Sequence, residues 1–320
     1  MIAANDYTDF LEREYLGSYI GAGGAAVKFV VSPDDDAVAT AFAGHMVERA
    51  TSAGYVAVRV DAAMTRAHMM DQVFFAVARQ VDWDDLATRA VRAAFAAAAH
   101  PVAEGDDDVS VEAVAAHRGV DAGELSRDVN RLLQQRVYRD YTMVQEFRTA
   151  MLRLCQARLR TGQVTDAEHA AVIDWLRGEL RLISVLRSAM IWSRIGRHNA
   201  RHMLFSLARW LSVNGAAGLW LELDVRRLGF ARRPKPEERQ GLYYTKASLL
   251  DAYELLRQLV DNTDELSHCC VVVLAAAEFL SDPNRGVDAY QALKLRICDE
   301  VRDRNRDNPY SSLVRLGGAA

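Results

Sequence analysis

The sequence predicts an α/β fold: a doubly wound, mostly parallel five-stranded sheet with a large helical insertion between the second and third strands. Three observations predict it. Short apolar runs alternate with segments of helical periodicity, no run is long enough for a membrane, and the stretch between the second and third runs is almost wholly helical in pattern.

The strands are "AVKFVV" (26–31), "YVAVRVD" (55–61), "GLWLELD" (218–224), "CCVVVLAAA" (269–277) and "SSLVRL" (311–316). Each is short and dominated by β-branched or apolar residues, as central parallel strands covered on both faces require. After the first strand, "AVATAFAGHMVERATSAG" puts Val38, Phe42, Met46 and Val47 on one helical face and ends on Gly54 as a C-terminal cap. "SLLDAYELLRQLVDNT" (248–263) places Leu249, Tyr253, Leu256 and Leu259 in the same way. Between the second and third strands, 128–162 and 166–192 both read as continuous helix. The expected organisation is residues 1–82 and 193–320 forming the α/β core, with 83–192 as the helical insertion.

The chain has 320 residues, half of them apolar, and a net charge of −4. That balance excludes a global basic field, so any nucleic-acid contact must come from a local patch. The acidic N-terminus has no signal-peptide pattern. The cysteines Cys155, Cys269, Cys270 and Cys298 lack CxxC spacing. All four are expected to be reduced core thiols in a cytoplasmic protein, with no metal site and no membrane association.

The junction "VVSPDDDAVATAF" is the most informative stretch. A strand running into a helix is where a P-loop, GxxxxGK[ST], cradles phosphate with backbone N–H groups, a lysine and a Mg²⁺-binding hydroxyl. Laid in register, that frame falls on "SPDDDAVA". Ser32 takes the first glycine position, Ala37 the second, Val38 the lysine and Ala39 the hydroxyl. The replacements suit a helix start: Ser32 as N-cap, Pro33 at the first helical position and Asp35 closing a capping box. Asp34, Asp35 and Asp36 favour the positive end of the helix dipole by about 0.3–1 kcal/mol each. They also repel a polyphosphate: two like charges about 4 Å apart cost roughly 1 kcal/mol in water and about 4 near a protein surface.

"GLWLELDVRRLG" has the form of a Walker B strand, an apolar run ending in an acid, Asp224. The catalytic glutamate that would follow is Val225. Two basic stretches are candidate nucleic-acid or partner contacts. "SRIGRHNARH" (193–202) carries Arg194, Arg197 and Arg201 within about three helical turns, a solvated helix face being the alternative. "RRLGFARRPKPEERQ" (226–240) carries Arg226, Arg227, Arg232, Arg233 and Lys235 in a loop directly after the third strand, where α/β sheets carry function, a flexible solvated loop being the equal alternative. His198 and His202 have i,i+4 spacing but no evident third metal ligand. "DEVRDRNRDNP" (299–309) reads as a salt-bridged helix end.

Taken in order, "REYLGSYIGAGGAAVKFVV", "NARHMLFSLARWLSVNGAAGLWLELD", "YELLRQLVDNTDELSHCCVVVLAAAEFL" and "ALKLRICDEVRDRNRDNPYSSLVRL" resemble the BREX-type ATP-binding P-loop proteins. These are AAA+-like ATPases, related to origin-recognition ATPases, of bacterial phage-defence operons. The resemblance is weakest over 83–165. It implies a P-loop/AAA+-like sheet, ATP and Mg²⁺ as ligands, a sensor position near "AAAEF", and work in a multi-protein assembly around DNA. The chain departs from that family at the lysine, the second glycine, the hydroxyl and the catalytic glutamate. Of the family's site residues, only Asp224 carries over.

The expectation is therefore a degenerate member: a pseudo-ATPase with no catalytic residues and no cofactor. It would serve as a structural or regulatory partner, with an active homologous ATPase the partner first considered. Two alternatives stand beside it. One is an active ATPase using Asp224 and Arg226 at a non-standard site. The other is a DNA-binding adaptor whose binding weakens with salt.

Overall fold

The computed structural model describes residues 1–32, 36–103, 105–106, 108–230, 241–298 and 307–317. Among these residues six strands form one sheet, all parallel: β1 (Ile2–Ala3), β2 (Ala25–Val31), β3 (Tyr55–Asp61), β4 (Gly218–Asp224), β5 (Cys269–Ala275) and β6 (Leu313–Gly317). Their order is β1-β6-β2-β5-β4-β3. This is a P-loop-like α/β arrangement with six strands where five were expected. The additional strand, β1, pairs Ile2 with Leu316 and Ala3 with Gly317. Two residues carry no readable periodicity, so only the pairing with β6 reveals it.

The sheet also corrects the expectation that every strand is covered on both faces. All seven residues of β2, β4 and β5 are buried. β3 lies at an edge of the sheet with Arg59 exposed, and β6 alternates between buried and half-buried. Gly218 opens β4 at φ +153°, and an added Cβ would fall 2.3 Å from the His268 carbonyl oxygen. Only glycine lets β4 start this close to the chain entering β5.

The chain divides into two compact units, Met1–Val77 with Ala216–Ala320, and Ala78–Gly215. In the first, one face of the sheet packs on α1 (Ala4–Phe10), the π-helical segment Leu11–Tyr19 and α2 (Asp36–Ser52). Tyr7 stacks on Phe42 with centroids 5.7 Å apart, over Ala26, Val30, Trp220 and Cys270. α2 buries Ala39, Phe42, Ala43, Met46 and Ala50, with Val38 and Val47 at the margin of the cluster. α3 (Met70–Ala78) follows β3, and α10 (Lys246–Asp261) buries Leu249, Tyr253, Leu256 and Leu259. Short helices α11 (Glu278–Ser281) and α12 (Gln291–Ile297) follow β5. Phe279 of α11 packs on Phe29 and Tyr253, with centroids 6.0 and 5.7 Å apart.

The second unit is helical: α4 (Trp83–Ala97), α5 (Val111–Arg118), α6 (Ala122–Leu133), α7 (Gln145–Arg158), α8 (Asp166–Arg177) and α9 (Ala200–Val213). The continuous helices expected over 128–162 and 166–192 are shorter. The first breaks after the π-turn Gln134–Tyr138, and the second ends at Gly178 in the left-handed conformation, φ +74°. From 178 to 199 the chain is irregular apart from the 3-10 turn Ile183–Leu186. The stretch 193–199 is therefore not helical, and only Ala200, Arg201 and His202 of the basic decapeptide lie in the first turn of α9. Apolar spacing suited to a helix also suits a strap whose alternate side chains anchor it, which is how periodicity misled here.

Three of the four cysteines are buried and free. Cys298 is half-buried, so the expectation of a core thiol does not hold for it. No described helix is long and apolar enough to cross a membrane.

Candidate site at the carboxyl end of β4

The strand order reverses around β2, whose neighbours are β6 and β5. Open α/β sheets place ligands outside the carboxyl ends of strands at such a point. Here those ends present Ser32, Asp224 and the first turns of α2.

Strand alternation sets the site. Glu222 and Asp224 lie two residues apart and face the same side of β4 as Trp220, the side covered by α2. Register places Arg59 of β3 opposite Glu222 and Asp61 opposite Asp224. Both acids are almost fully buried, Glu222 at 1% and Asp224 at 5% exposure. Arg59 lies between them: its Nε is 2.8 Å from Glu222 Oε1 in an ion pair, and its Nη2 donates to Asp224 Oδ2 at 3.0 Å.

Asp224 holds a second guanidinium. Arg226 sits two residues on, at the start of the 3-10 turn Arg226–Gly229. Its backbone N–H and Nε donate to Asp224 Oδ1 at 3.2 and 3.0 Å, and its Nη2 donates to Oδ2 at 2.7 Å. Its Nη1 crosses to α2, donating to the Asp36 carbonyl at 3.2 Å and to Thr40 Oγ1 at 2.9 Å. One side chain thus ties the end of β4 to the helix that follows β2. Such forked, charge-assisted bonds are about twice as strong as neutral ones.

The two carboxylates respond differently. Burial pushes Asp224 up, but the bonds from Arg226 and then Arg59 outweigh it and hold it below the usual aspartate range. Burial pushes Glu222 up; the Arg59 charge opposes this, the Asp224 charge adds to it, and the result lies above the usual glutamate range. Arg226 is itself raised, by Asp224 first.

The other predicted positions fall as follows. Ser32 is buried, and its Oγ finds no hydrogen-bond partner among the described residues; the cap bond expected of it would go to Asp35. Pro33, Asp34 and Asp35 lie outside the described residues, as do Arg232, Arg233, Lys235 and residues 299–306. Asp36 and Ala37 are exposed at the start of α2, Val38 packs against the apolar cluster, and Ala39 is fully buried. Val225 is buried, its N–H donating to the Leu274 carbonyl at 2.8 Å. Arg227 donates to the Leu242 carbonyl at 2.7 Å and lies over the Phe230 ring. Arg194, Arg197 and Arg201 belong to the helical unit, Arg194 donating to the Arg181 carbonyl at 2.5 Å. Among the described residues no cluster of three or more His, Cys, Asp or Glu is placed to hold a metal ion.

Sequence reading overlooked Arg59, Glu222 and Thr40. A signal for the first two was present: "YVAVRVD" and "GLWLELD", both expected to be buried, carry internal charges of opposite sign, Arg59 and Glu222, which neighbouring strands would pair. Arg285 was also overlooked. It is buried and donates to the Leu228 carbonyl through Nε and Nη2, at 3.2 and 2.9 Å, and to the Tyr244 carbonyl at 2.9 Å, fixing the turn after β4.

The model of the family described as BREX system ATP-binding protein BrxC/D matches residues 16–319. The chain belongs to this family. Membership implies a role in phage defence as part of a multi-protein system. No match was found among curated proteins or among solved structures.

Proposed function

We propose that this member of the BREX ATP-binding family is a pseudo-ATPase: an AAA+-like subunit that retains the sheet, has lost phosphoryl-transfer chemistry, and serves a phage-defence complex as a structural or regulatory partner. The observation that carries the reading is the double clamp on Asp224. Both carboxylate oxygens accept from guanidinium groups, and Arg226 runs on to the first turn of α2.

Mg·ATP does not suit these residues. The acid that would attract Mg²⁺ is already neutralised by two arginines, half-buried Arg226 and the more exposed Arg59. The lysine position is Val38, turned to the apolar cluster, and the hydroxyl position is buried Ala39. The place of the catalytic glutamate is taken by buried Val225. Phosphoryl transfer depends almost wholly on positioning and charge stabilisation, so a site lacking lysine, hydroxyl and glutamate supplies neither. The non-standard ATPase alternative loses its counter-charge as well, because Arg226 is committed to Asp224, Asp36 and Thr40.

Isothermal calorimetry of the full chain with ATP, with and without Mg²⁺, checks this. The expected result is no binding heat and no ATP turnover, for wild type and for Arg226→Ala alike, since releasing the arginine restores no lysine. Turnover abolished by Asp224→Ala would overturn the reading.

A further inference from the structure

The strap between α8 and α9 in the helical unit combines features that the interior of a folded domain does not use. Its buried anchors are Leu186, Ala189, Ile191 and Ile195. Between them stand large apolar side chains in solvent: Leu182 at 64%, Val185 at 50%, Met190 at 62% and Trp192 at 67% exposure. The other four tryptophans, Trp83, Trp175, Trp210 and Trp220, are all buried. Single exposed apolar residues need no explanation, but four within eleven positions of one strap are a concentration that does.

The strap is held in shape. Ser188 Oγ donates to Glu168 Oε2 at 3.1 Å, and Glu168 is in turn held by Arg153. Trp175 Nε1 donates to the Ser193 carbonyl at 3.0 Å, and Ile191 N–H to the Leu186 carbonyl at 3.1 Å. Met190 sits in the left-handed region at φ +58°, a conformation that side-chain-bearing residues adopt only where surrounding bonds impose it.

The strap's own charges are of one sign, and of the carboxylates it meets, Glu168 is paired with Arg153, Glu179 with Arg79, and Glu146 accepts from Ser193 Oγ at 3.4 Å. Residues 180–202 contain five arginines and neither aspartate nor glutamate. Arg181, Arg187, Arg194 and Arg197 are exposed, and none forms an ion pair among the described residues. Trp, Met and Arg without Lys, Asp or Glu is the composition that marks the core of protein–protein interfaces, and Trp and Arg dominate their binding energy.

The geometry points to this strap as a docking surface for an acidic amphipathic segment of a partner protein. Its apolar ridge would cover Trp192, Met190, Leu182 and Val185, and its carboxylates would meet the flanking guanidinium forks. Charge complementarity selects the acidic partner. The three aliphatic side chains select protein over nucleic acid, because bases stack on aromatic rings, not on leucine or valine, and nucleic-acid interfaces are markedly more polar.

A displayed library of random peptides about 16 residues long, long enough for about four helical turns, selected on the full chain, tests this. The expected winners interleave Asp or Glu with Leu, Ile or Phe. A synthesised winner should shift Trp192 emission to the blue, a signal that Trp192→Phe removes. Its affinity should fall about tenfold or more in Met190→Ser/Trp192→Ser, and similarly in Arg181→Gln/Arg187→Gln/Arg197→Gln. All substituted side chains are exposed, so thermal midpoints near wild type are expected to accompany the losses. Three outcomes would overturn the proposal: no enriched peptide, winners without acidic residues, or winners that bind the serine variant as tightly. Oligothymidylate shifting Trp192 emission where no peptide does would assign the surface to single-stranded DNA instead.

Discussion

Two groups of arginines in this molecule do opposite things. At the end of β4, the guanidiniums of Arg59 and Arg226 are engaged with Glu222, Asp224, Asp36 and Thr40 of the same unit, although Arg59 is partly open to solvent. On the strap of the helical unit, Arg181, Arg187, Arg194 and Arg197 face solvent, with exposed apolar side chains among them and no acidic partner among the described residues. The first group satisfies its own site and leaves little for a ligand. The second leaves charge and apolar surface unsatisfied. The contrast is between a site that answers its own charges and a surface whose charge and apolar side chains await the docking proposed for it.

Asp224→Ala probes the inward group most severely. It leaves two guanidiniums facing each other across a buried gap, and removing one partner of a buried ion pair costs several kcal/mol. A loss of about 3 kcal/mol in unfolding free energy is expected, at the lower end because Arg59 is 42% exposed and keeps Glu222. Denaturant titration reads it. A loss under about 1 kcal/mol would mean the clamp is electrostatically idle, like the surface pairs of other proteins, and the comparison would collapse.

Glu222→Gln sharpens the comparison through pH. Asp224, held below its usual range, contributes stability above its unfolded pKa, and that contribution is lost as pH falls through the lower folded value. Glu222 runs the other way. Its folded pKa lies above the unfolded value of 4.5, so its contribution is full below that value and is lost as pH rises through the folded one. Near neutral pH the glutamine variant should therefore lie within about 1 kcal/mol of wild type. Relative to wild type, its stability should improve as pH rises from about 4 to about 7, measured by thermal midpoints across that range. A variant whose deficit instead grows with pH would show that Arg59 dominates Glu222.

The smallest effect is expected on the strap. Arg181→Gln/Arg187→Gln/Arg197→Gln removes three solvated charges with no internal partner, and unfolding free energy should stay within about 0.5 kcal/mol of wild type. A larger loss would give these arginines a structural role and erase the contrast with Arg59 and Arg226.

The sequence by itself determined the long strands, the helix after the first of them and the family. A strand such as "CCVVVLA" is apolar throughout because both of its faces are covered, and that signal is local. It also determined what stands at the lysine, hydroxyl and glutamate positions, since Val38, Ala39 and Val225 can be read without coordinates. Tertiary structure decided the rest. β1 exists only through its pairing with β6. The strap at 178–199 has helical spacing, but Gly178 in the left-handed region ends α8 and the chain turns away. The clamp on Asp224 joins Arg59, Arg226 and Thr40 across separations of up to 186 residues. No local pattern encodes it, because strand register and the packing of α2 against the sheet are what bring those side chains within hydrogen-bonding distance.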